Sequence, residues 1–466
     1  MSVYIHNSLS RKKEEFLPVN PPKLNIYSCG VTVYDDCHIG HARSLYIFDV
    51  ISRYLKYRGF DVRFVRNITD IDDKIINRAN ELKTDWKELV AKYISRYYDD
   101  LAALGIGRAD SEPRATENIE DMKKYIQALI DKGYAYPTDT GVYFSVRKFK
   151  DYGKLSGQGI EQMLTGVRKD ADETKEDPLD FALWKRSKPG EPFWESPWGQ
   201  GRPGWHIECS VMSAKYLKAE TLDIHAGGRD LIFPHHENEI AQSEALSGKP
   251  FARYWIHHGL LTINGQKMSK SLGNFITVKD ALAKYSADVL KIFFLQAHYS
   301  SPVDFSDDKM KEAGQALERI MILADKIDKR SASSRIAAKV TEIKELAEIK
   351  DKFIQAMDDD FNTPQALACV FELVTAANKK IDDLDFILPA RSLLQELVDI
   401  LGLRLAGAKN TAASSGDSEI QELIAKRSEA KKARNFQEAD KIRKDLEAKG
   451  VILEDTKDGT TWRRKP

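Results

Sequence analysis

The stretch NIYSCGVTVYDDCHIGH, residues 25–41, decides the reading of this chain. From Asn25 to Tyr34 it is rich in Ile, Val, Thr and Tyr, residues that suit a pleated, buried strand, and it then enters a turn over Asp35 to His41. A helix is predicted next, because Phe48, Ile51 and Leu55 recur at helical spacing and Gly59 ends the pattern. Val62 to Thr69 is again strand-like and Asp72 to Leu82 again helical. Strand, crossover helix and strand with right-handed closure predict a parallel sheet, whose ligands lie beyond the carboxyl ends of its strands. The turn at 35–41 lies at that end.

Working outward, residues 115–200 interrupt the alternation. They read as a helix near Ile119 to Lys132, a hairpin over Tyr134 to Val146, and a Gly, Pro and Trp-rich stretch around Trp184 to Trp198. The α/β pattern returns with Leu222 to Gly228 as strand, Pro234 to Leu246 as helix, and Tyr254 to Ile263 as a strand closing at Asn264 and Gly265. Beyond Phe305 nearly everything reads as helix, with Thr363 as a cap and Pro364 as a first-turn proline. Residues 406–416, AGAKNTAASSG, are small and polar enough for a linker, and the remainder reads as a basic helix followed by a hairpin over Val451 to Trp462. The expected fold class is α/β: a Rossmann-type parallel sheet split by an insertion, then a helical bundle, then a small C-terminal α/β module. No repeat of fixed period is visible.

At about 150 residues per domain, 466 residues make two to four domains with a large core. Hydrophobic residues at 42% and charged residues at 30% exclude a disordered chain. Lys+Arg 71 against Asp+Glu 71 leaves no net field, so an anionic partner must be met by local patches. Four scattered cysteines, Cys29, Cys37, Cys209 and Cys369, are too few for a disulfide framework and suit a reducing compartment. Without an apolar segment at the N-terminus or a run long enough to span a bilayer, the expectation is a cytoplasmic protein with no membrane partner.

His38, Ile39, Gly40 and His41 put two imidazoles and a glycine at a helix N-terminus, where backbone N–H groups favour a phosphate. An isolated HxGH tetrapeptide is more simply an exposed turn. A second signal decides: Lys267, Met268, Ser269, Lys270 and Ser271 sit on a glycine-flanked loop after a strand, where two flexible lysines can close over phosphates. Together the pair resembles the HIGH and KMSKS signatures of class I aminoacyl-tRNA synthetases.

A third constellation concerns specificity. Cys29 lies in the first strand, Cys209 follows Gly204, Trp205 and His206, and His235 and Glu239 stand at i, i+4 on one helix face. Cys29, Cys209, His235 and Glu239 form a plausible four-ligand zinc set, with His236 and Glu237 pointing elsewhere and Cys37 and Cys369 as buried small hydrophobes. Over essentially its whole length the chain is similar to the cysteinyl-tRNA synthetase family, in whose active site two Cys, one His and one Glu bind one zinc. The resemblance implies a ligase that activates L-cysteine with ATP and Mg²⁺ and transfers it to tRNA(Cys). Zinc would coordinate the soft substrate thiolate directly, which serine cannot match, and no editing domain would be needed.

The resemblance also implies roles along the chain. His38 and His41 would stabilise the α-phosphate, Gly40 would admit the nucleotide, and Lys267 and Lys270 would hold the pyrophosphate. Gly227 and Gly228 would pack under adenine, while Asp230 would contact ribose or the substrate ammonium; Trp205 and Thr69, with Cys29, would line the cysteine pocket. Phe436, Asp440, Asp455, Trp462, Arg463 and Arg464 are the candidate tRNA contacts, aromatic rings interleaved with charge as unpaired bases require. The expected domains are 1–114 and 201–255 for the two sheet halves, 115–200 for the insertion, 256–308 for a KMSKS stem-contact region, 309–405 for an anticodon-binding bundle, 406–416 for the linker and 417–466 for an anticodon-recognition module, in a monomer. The alternative is an ATP-dependent cysteine ligase of the mycothiol-synthesis type, which attaches cysteine to an amino sugar.

Overall fold

The computed structural model describes residues 2–166, 174–268, 273–331, 343–404, 415–433, 435–448, 451–456 and 459–464. Strand β1 (Lys23–Thr32) leads through the turn into helix α1 (Ile39–Tyr57). β1 pairs in parallel with β2 (Asp61–Thr69) on one side and β3 (Leu222–Gly228) on the other, and β4 (Ala252–His258) lies beyond β3. Ile26, Tyr27 and Val31 are all buried, as a central parallel strand covered on both faces requires. α1 buries Leu45, Phe48, Ile51 and Leu55, each such side chain contributing about 1.5–3 kcal/mol. It stops where Gly59 takes φ 87, a left-handed setting that carries no steric penalty only for glycine.

β1 and β2 change register between Ser28 and Val31. There Gly30 approaches β2 so closely that a Cβ would stand 1.6 Å from the Asn67 carbonyl oxygen, while its N–H donates to Asn67 Oδ1 at 2.8 Å. Cys29 sits in this bulge. The insertion begins with helix Ile119–Asp131 and is a four-stranded antiparallel sheet in the order Ala135–Thr138, Gly141–Phe144, Phe181–Arg186 and Gly201–Pro203. The expected hairpin is its first half; the third strand holds the buried Trp184, and the fourth, Gly201–Pro203, lies past Trp198 and past the expected end of the insertion at residue 200.

The single strand expected over Tyr254 to Ile263 is two strands in two sheets. β4 ends at His258, and Leu261–Ile263 joins a separate sheet with Gln266–Lys267 and Val303–Phe305. The cause is Arg43 on α1. Its buried guanidinium donates to the carbonyls of Gly259 at 2.6 Å, Leu260 at 3.1 Å, Tyr299 at 3.3 Å and Ser301 at 2.6 Å, turning those groups away from a ladder. Burial lowers Arg43 only to about 10, so it stays charged at neutral pH.

Helix α2 (Trp205–Leu217) precedes β3, and α3 (Glu237–Ser247) lies between β3 and β4; α3 starts later than the expected Pro234, because the chain kinks at Phe233, whose backbone is extended (φ −137, ψ 132). Helix α4 (Ala287–Leu295) leads to a bundle of α5 (Asp307–Ser331), α6 (Lys344–Asp358), α7 (Thr363–Lys379) and α8 (Leu384–Ile400). Asn362, not Thr363, caps α7, its side chain accepting from the Gln365 N–H at 3.1 Å. The expected single basic helix is two, α9 (Ser415–Lys432) and α10 (Phe436–Ala448), packed on hairpin β5 (Val451–Thr456) and β6 (Gly459–Arg464). Ser415 and Gly416, assigned to the linker, already belong to α9, and Arg427 is buried there. Among the described residues, no helix is long and apolar enough to cross a membrane.

Arg43→Met keeps the volume and removes every one of those donors. It should lower the stability of the catalytic region by about 3 kcal/mol, because several buried carbonyls lose a charged partner. Denaturant unfolding checks this; an unchanged midpoint would show that the kink after His258 does not depend on Arg43.

Candidate active site and metal centre

His38 is the N-cap of α1. Its Nδ1 accepts from the His41 N–H at 3.2 Å, and His41 Nδ1 accepts from the His38 N–H at 3.4 Å. The rings stack with centroids 3.6 Å apart. With each Nδ1 used as an acceptor, the network assigns the proton of each neutral ring to Nε2. Burial lowers His38 to about 4, and burial followed by the charges of His38 and Lys74 lowers His41 well below its ordinary range. Both therefore offer N–H dipoles at neutral pH, not cations.

A Cβ on Gly40 would lie 2.9 Å from the His38 ring and 3.5 Å from Met268 Cε, so the glycine makes room for that ring and the second signature abuts the first. The backbone holds them together: Ile39 N–H donates to Ile276 O at 3.1 Å and Val278 N–H to Cys37 O at 2.8 Å. Lys267 is exposed on its short strand, and Lys270 lies outside the described residues. At the end of β3, a Cβ on Gly227 would be 2.7 Å from the His236 ring and one on Gly228 2.4 Å from Asp230 Oδ1. Protein groups fill the space beside both glycines, while Asp230 itself is exposed.

The donor cluster gathers where β1, α2 and α3 meet. Cys29 Sγ lies 3.7 Å from Cys209 Sγ and 3.5 Å from Glu239 Oε1, and His235 Nε2 is 3.1 Å from Glu239 Oε1. One donor atom from each of Cys29, Cys209, His235 and Glu239 falls within 4.8 Å of all the others. A tetrahedral ion with Zn–S bonds of about 2.3 Å places its two sulfurs about 3.8 Å apart, close to the observed pair. His235 Nε2 is buried without a hydrogen bond, an orphaned donor atom that a cation would satisfy. Burial, then the neighbouring Cys209, then Glu239 push the Cys29 thiol well up, so metal binding is what would favour its thiolate.

His236 does not point elsewhere. Its Nε2 is 3.2 Å from Cys29 Sγ and its Nδ1 2.8 Å from His257 Nε2, and with His225 it forms a second set of donors sharing Cys29 and Glu239. The chain kinks at the extended Phe233 just before these residues, which regular helical spacing does not anticipate. Glu237 does turn away, accepting from Gly153 N–H at 2.9 Å and Ser156 N–H at 2.8 Å in the insertion. The set containing both thiols suits zinc best.

Trp205 stacks on the His235 ring at 4.0 Å and is 36% exposed, forming a wall over the donors. Thr69 is 2% exposed; its hydroxyl donates to Glu208 Oε2 at 2.8 Å and accepts from Asn67 Nδ2 at 3.2 Å. Both of its hydrogen-bonding roles are thus taken by the protein. Sequence reasoning missed Asn67, His206, Glu208 and His225, which support the cluster from separate elements: His206 Nδ1 is 2.9 Å from His235 Nδ1, and His225 Nε2 is 2.8 Å from Glu239 Oε2. In the C-terminal module Phe436, 63% exposed, and the exposed Asp440 share one face of α10, and the strands of the hairpin carry Asp455, Trp462, Arg463 and Arg464.

The buried histidines set an acid limit. In the fold His38 and His258 are lowered to about 4 from the ordinary value of 6.5, so the unfolded chain binds more protons between those values and stability falls as pH drops through that window. Thermal unfolding of chelator-treated protein should give a lower Tm at pH 5 than at pH 7; an equal or higher Tm would contradict neutral burial of these rings.

Residues 15–315 match the family model for the catalytic domain of class I tRNA synthetases (C), residues 352–406 a DALR domain, and residues 415–463 a cysteinyl-tRNA ligase anticodon binding domain. The cysteine–tRNA ligase of Thermodesulfovibrio yellowstonii is 50% identical over 99% of both chains, and that of Geobacter sulfurreducens 50% identical over 100% of both. Among solved structures, Mycobacterium tuberculosis methionyl-tRNA synthetase in complex with methionyl-adenylate aligns with TM-score 0.61 at 16% identity, covering 81% of this chain and 90% of that one. The LeuRS–tRNA–LeuAMS complex of Agrobacterium radiobacter K84 aligns with TM-score 0.64 at 12% identity, covering 83% and 84%. Those two share the fold. With paired signature loops, a two-thiol donor set and relatives matched from end to end, the chain belongs to the cysteinyl-tRNA synthetase family of class I aminoacyl-tRNA synthetases.

Proposed function

We propose that the protein is a cysteine–tRNA ligase: it activates L-cysteine with ATP and transfers it to the 3′ end of tRNA(Cys), acting as a cytoplasmic monomer. The observation that carries this reading is the cluster of half-buried Cys29 with buried Cys209, His235 and Glu239 at the carboxyl end of a sheet whose neighbouring helix starts with His38 and His41. One zinc held by those four residues supplies a soft Lewis acid that prefers the sulfur of cysteine to the hydroxyl of serine.

Around it, the chain's own groups position the reaction. Trp205 closes the pocket over His235. Asp230, exposed beyond β3, takes the substrate ammonium or the ribose. The cysteine carboxylate attacks the α-phosphate in line, and charge grows on the phosphate oxygens. His38 and His41 meet that charge with Nε2–H donors fixed before the substrate arrives, which is where preorganised dipoles have most effect. Gly40 makes room for the His38 ring, Gly227 for the His236 ring and Gly228 for the Asp230 carboxylate, and Lys267 and Lys270 hold the leaving pyrophosphate with Mg²⁺. Thr69 steadies the cysteine pocket from behind, through Asn67 and Glu208. Phe436, Asp440, Asp455, Trp462, Arg463 and Arg464 read the anticodon. The match of residues 415–463 to an anticodon binding model favours transfer RNA over an amino sugar as acceptor.

The protein should contain one zinc per chain and catalyse ATP–pyrophosphate exchange with cysteine at least about 10⁴-fold better than with serine, well beyond the ~10² of an apolar pocket. Cys209→Ala should lose the zinc and cysteine-dependent exchange together. Exchange driven equally by serine, or a zinc-free Cys209→Ala protein with normal exchange, would sink the assignment.

A further inference from the structure

Helix α1 is anchored to the bundle by polar side chains along its length. Tyr46 OH donates to Leu401 O at 2.6 Å, Tyr54 OH to Asp358 Oδ1 at 2.6 Å, and Tyr57 OH to Glu396 Oε1 at 2.9 Å, while Arg58 Nε pairs with Asp358 Oδ1 at 2.9 Å. From α4, Lys291 Nζ donates to Gly402 O at 2.8 Å and to Asp288 Oδ1 at 3.1 Å, with the Tyr46 ring 6.0 Å away. Leu401 is the C-cap of α8, and Gly402 follows with φ 68. Two groups of the catalytic core therefore grip consecutive carbonyls at the end of the last bundle helix. Just beyond, the Arg404 guanidinium lies against Gly105, where a Cβ would meet it at 2.7 Å.

Tyr46 and Lys291 are each 1% exposed. For simple packing, an ammonium is a poor choice at such a site, since desolvating a charge costs several kcal/mol and Met or Leu would fill the volume. The carbonyl end of a helix carries partial negative charge, which matches Lys291 and leaves its direction specified. A directional grip fixes the rotation and axial setting of α8 in a way that apolar contact does not. The C-terminal module, beginning at Ser415, follows this exit in the chain. The setting of α8 fixes the point from which the chain leaves the bundle toward that module, across residues 405–414, which lie outside the described residues.

We infer that Tyr46 and Lys291 are positioning residues for aminoacyl transfer: they lock the exit of α8 to the helix that begins with His38 and His41, so that a transfer RNA held by the C-terminal module meets the adenylate in one register. The inference rests on the charging reaction proposed above. Neither residue touches cysteine, ATP or the donor cluster in this assignment, so activation and transfer should separate.

The test uses the full-length, zinc-loaded chain with Lys291→Met and Tyr46→Phe. Cysteine-dependent pyrophosphate exchange should stay within about twofold of wild type, while kcat/KM for charging full-length transfer RNA falls about tenfold or more in Lys291→Met and about threefold in Tyr46→Phe, mainly through kcat, because misplacement by an ångström is felt strongly in the transfer step. Charging of an acceptor-stem minihelix, which cannot reach the C-terminal module, should be unchanged. Wild-type charging by both variants would overturn the inference, as would equal losses in exchange, full-length charging and minihelix charging. If Lys291→Met does not fold, Tyr46→Phe, which deletes one oxygen, decides alone by the same criteria. A wild-type protein that exchanges pyrophosphate but charges no transfer RNA would instead overturn the proposed function.

Discussion

Everything near the site depends on one arrangement: thiol, imidazole and carboxylate donors brought within 4.8 Å of one another where solvent hardly reaches. Buried polar groups must find partners, and buried thiols resist ionisation. His235 Nε2, 3.1 Å from Glu239 Oε1, makes no hydrogen bond with any protein group. A divalent cation answers all of these demands together. The elements that deliver the donors are those of the parallel sheet: the bulge of β1 for Cys29, the first turns of α2 for Cys209, and the kinked entry and start of α3 for His235 and Glu239. The sheet's topology brings these carboxyl ends together, and the chemistry follows from what is placed there.

The site proposed for the phosphates obeys a different rule. His38 and His41 hold each other by reciprocal backbone bonds, remain neutral because they are buried, and stand at a helix N-terminus. Such a site orients and polarises without exchanging protons, which is what phosphoryl chemistry needs. The same helix runs on into the bundle, tied to it by Tyr46, Tyr54, Tyr57 and Arg58, so the reacting end and the body that carries the C-terminal module share one rigid rod.

Much of this was legible in the chain itself. Regular periodicity located β1 to β3 and α1, and the two signature loops were recognisable because each is contiguous. The four donors could be assembled because three of the four sit beside other unusual residues. What escaped notice depends on contacts across long separations. Arg43 breaks the strand after His258 by binding carbonyls more than two hundred positions away, and nothing local to Gly259 announces it. His236 enters the cluster just after a kink at the extended Phe233, which helical periodicity does not reveal. Glu208 and Asn67 matter only through Thr69 and Gly30, partners on different elements. In the C-terminal module the basic residues suggested one solvated helix; a break near Asn435 makes two, and Arg427 is buried, not solvated.

The central claim is that Cys29, Cys209, His235 and Glu239 hold a zinc that takes the substrate's sulfur directly. X-ray absorption at the zinc edge of the full-length protein, with and without cysteine, tests it most directly. The account predicts two sulfurs at about 2.3 Å with nitrogen and oxygen neighbours in the free enzyme, and a third sulfur at that distance once cysteine is added, with no change on adding serine. A sulfur count that stays at two when the pocket is saturated with cysteine would contradict it.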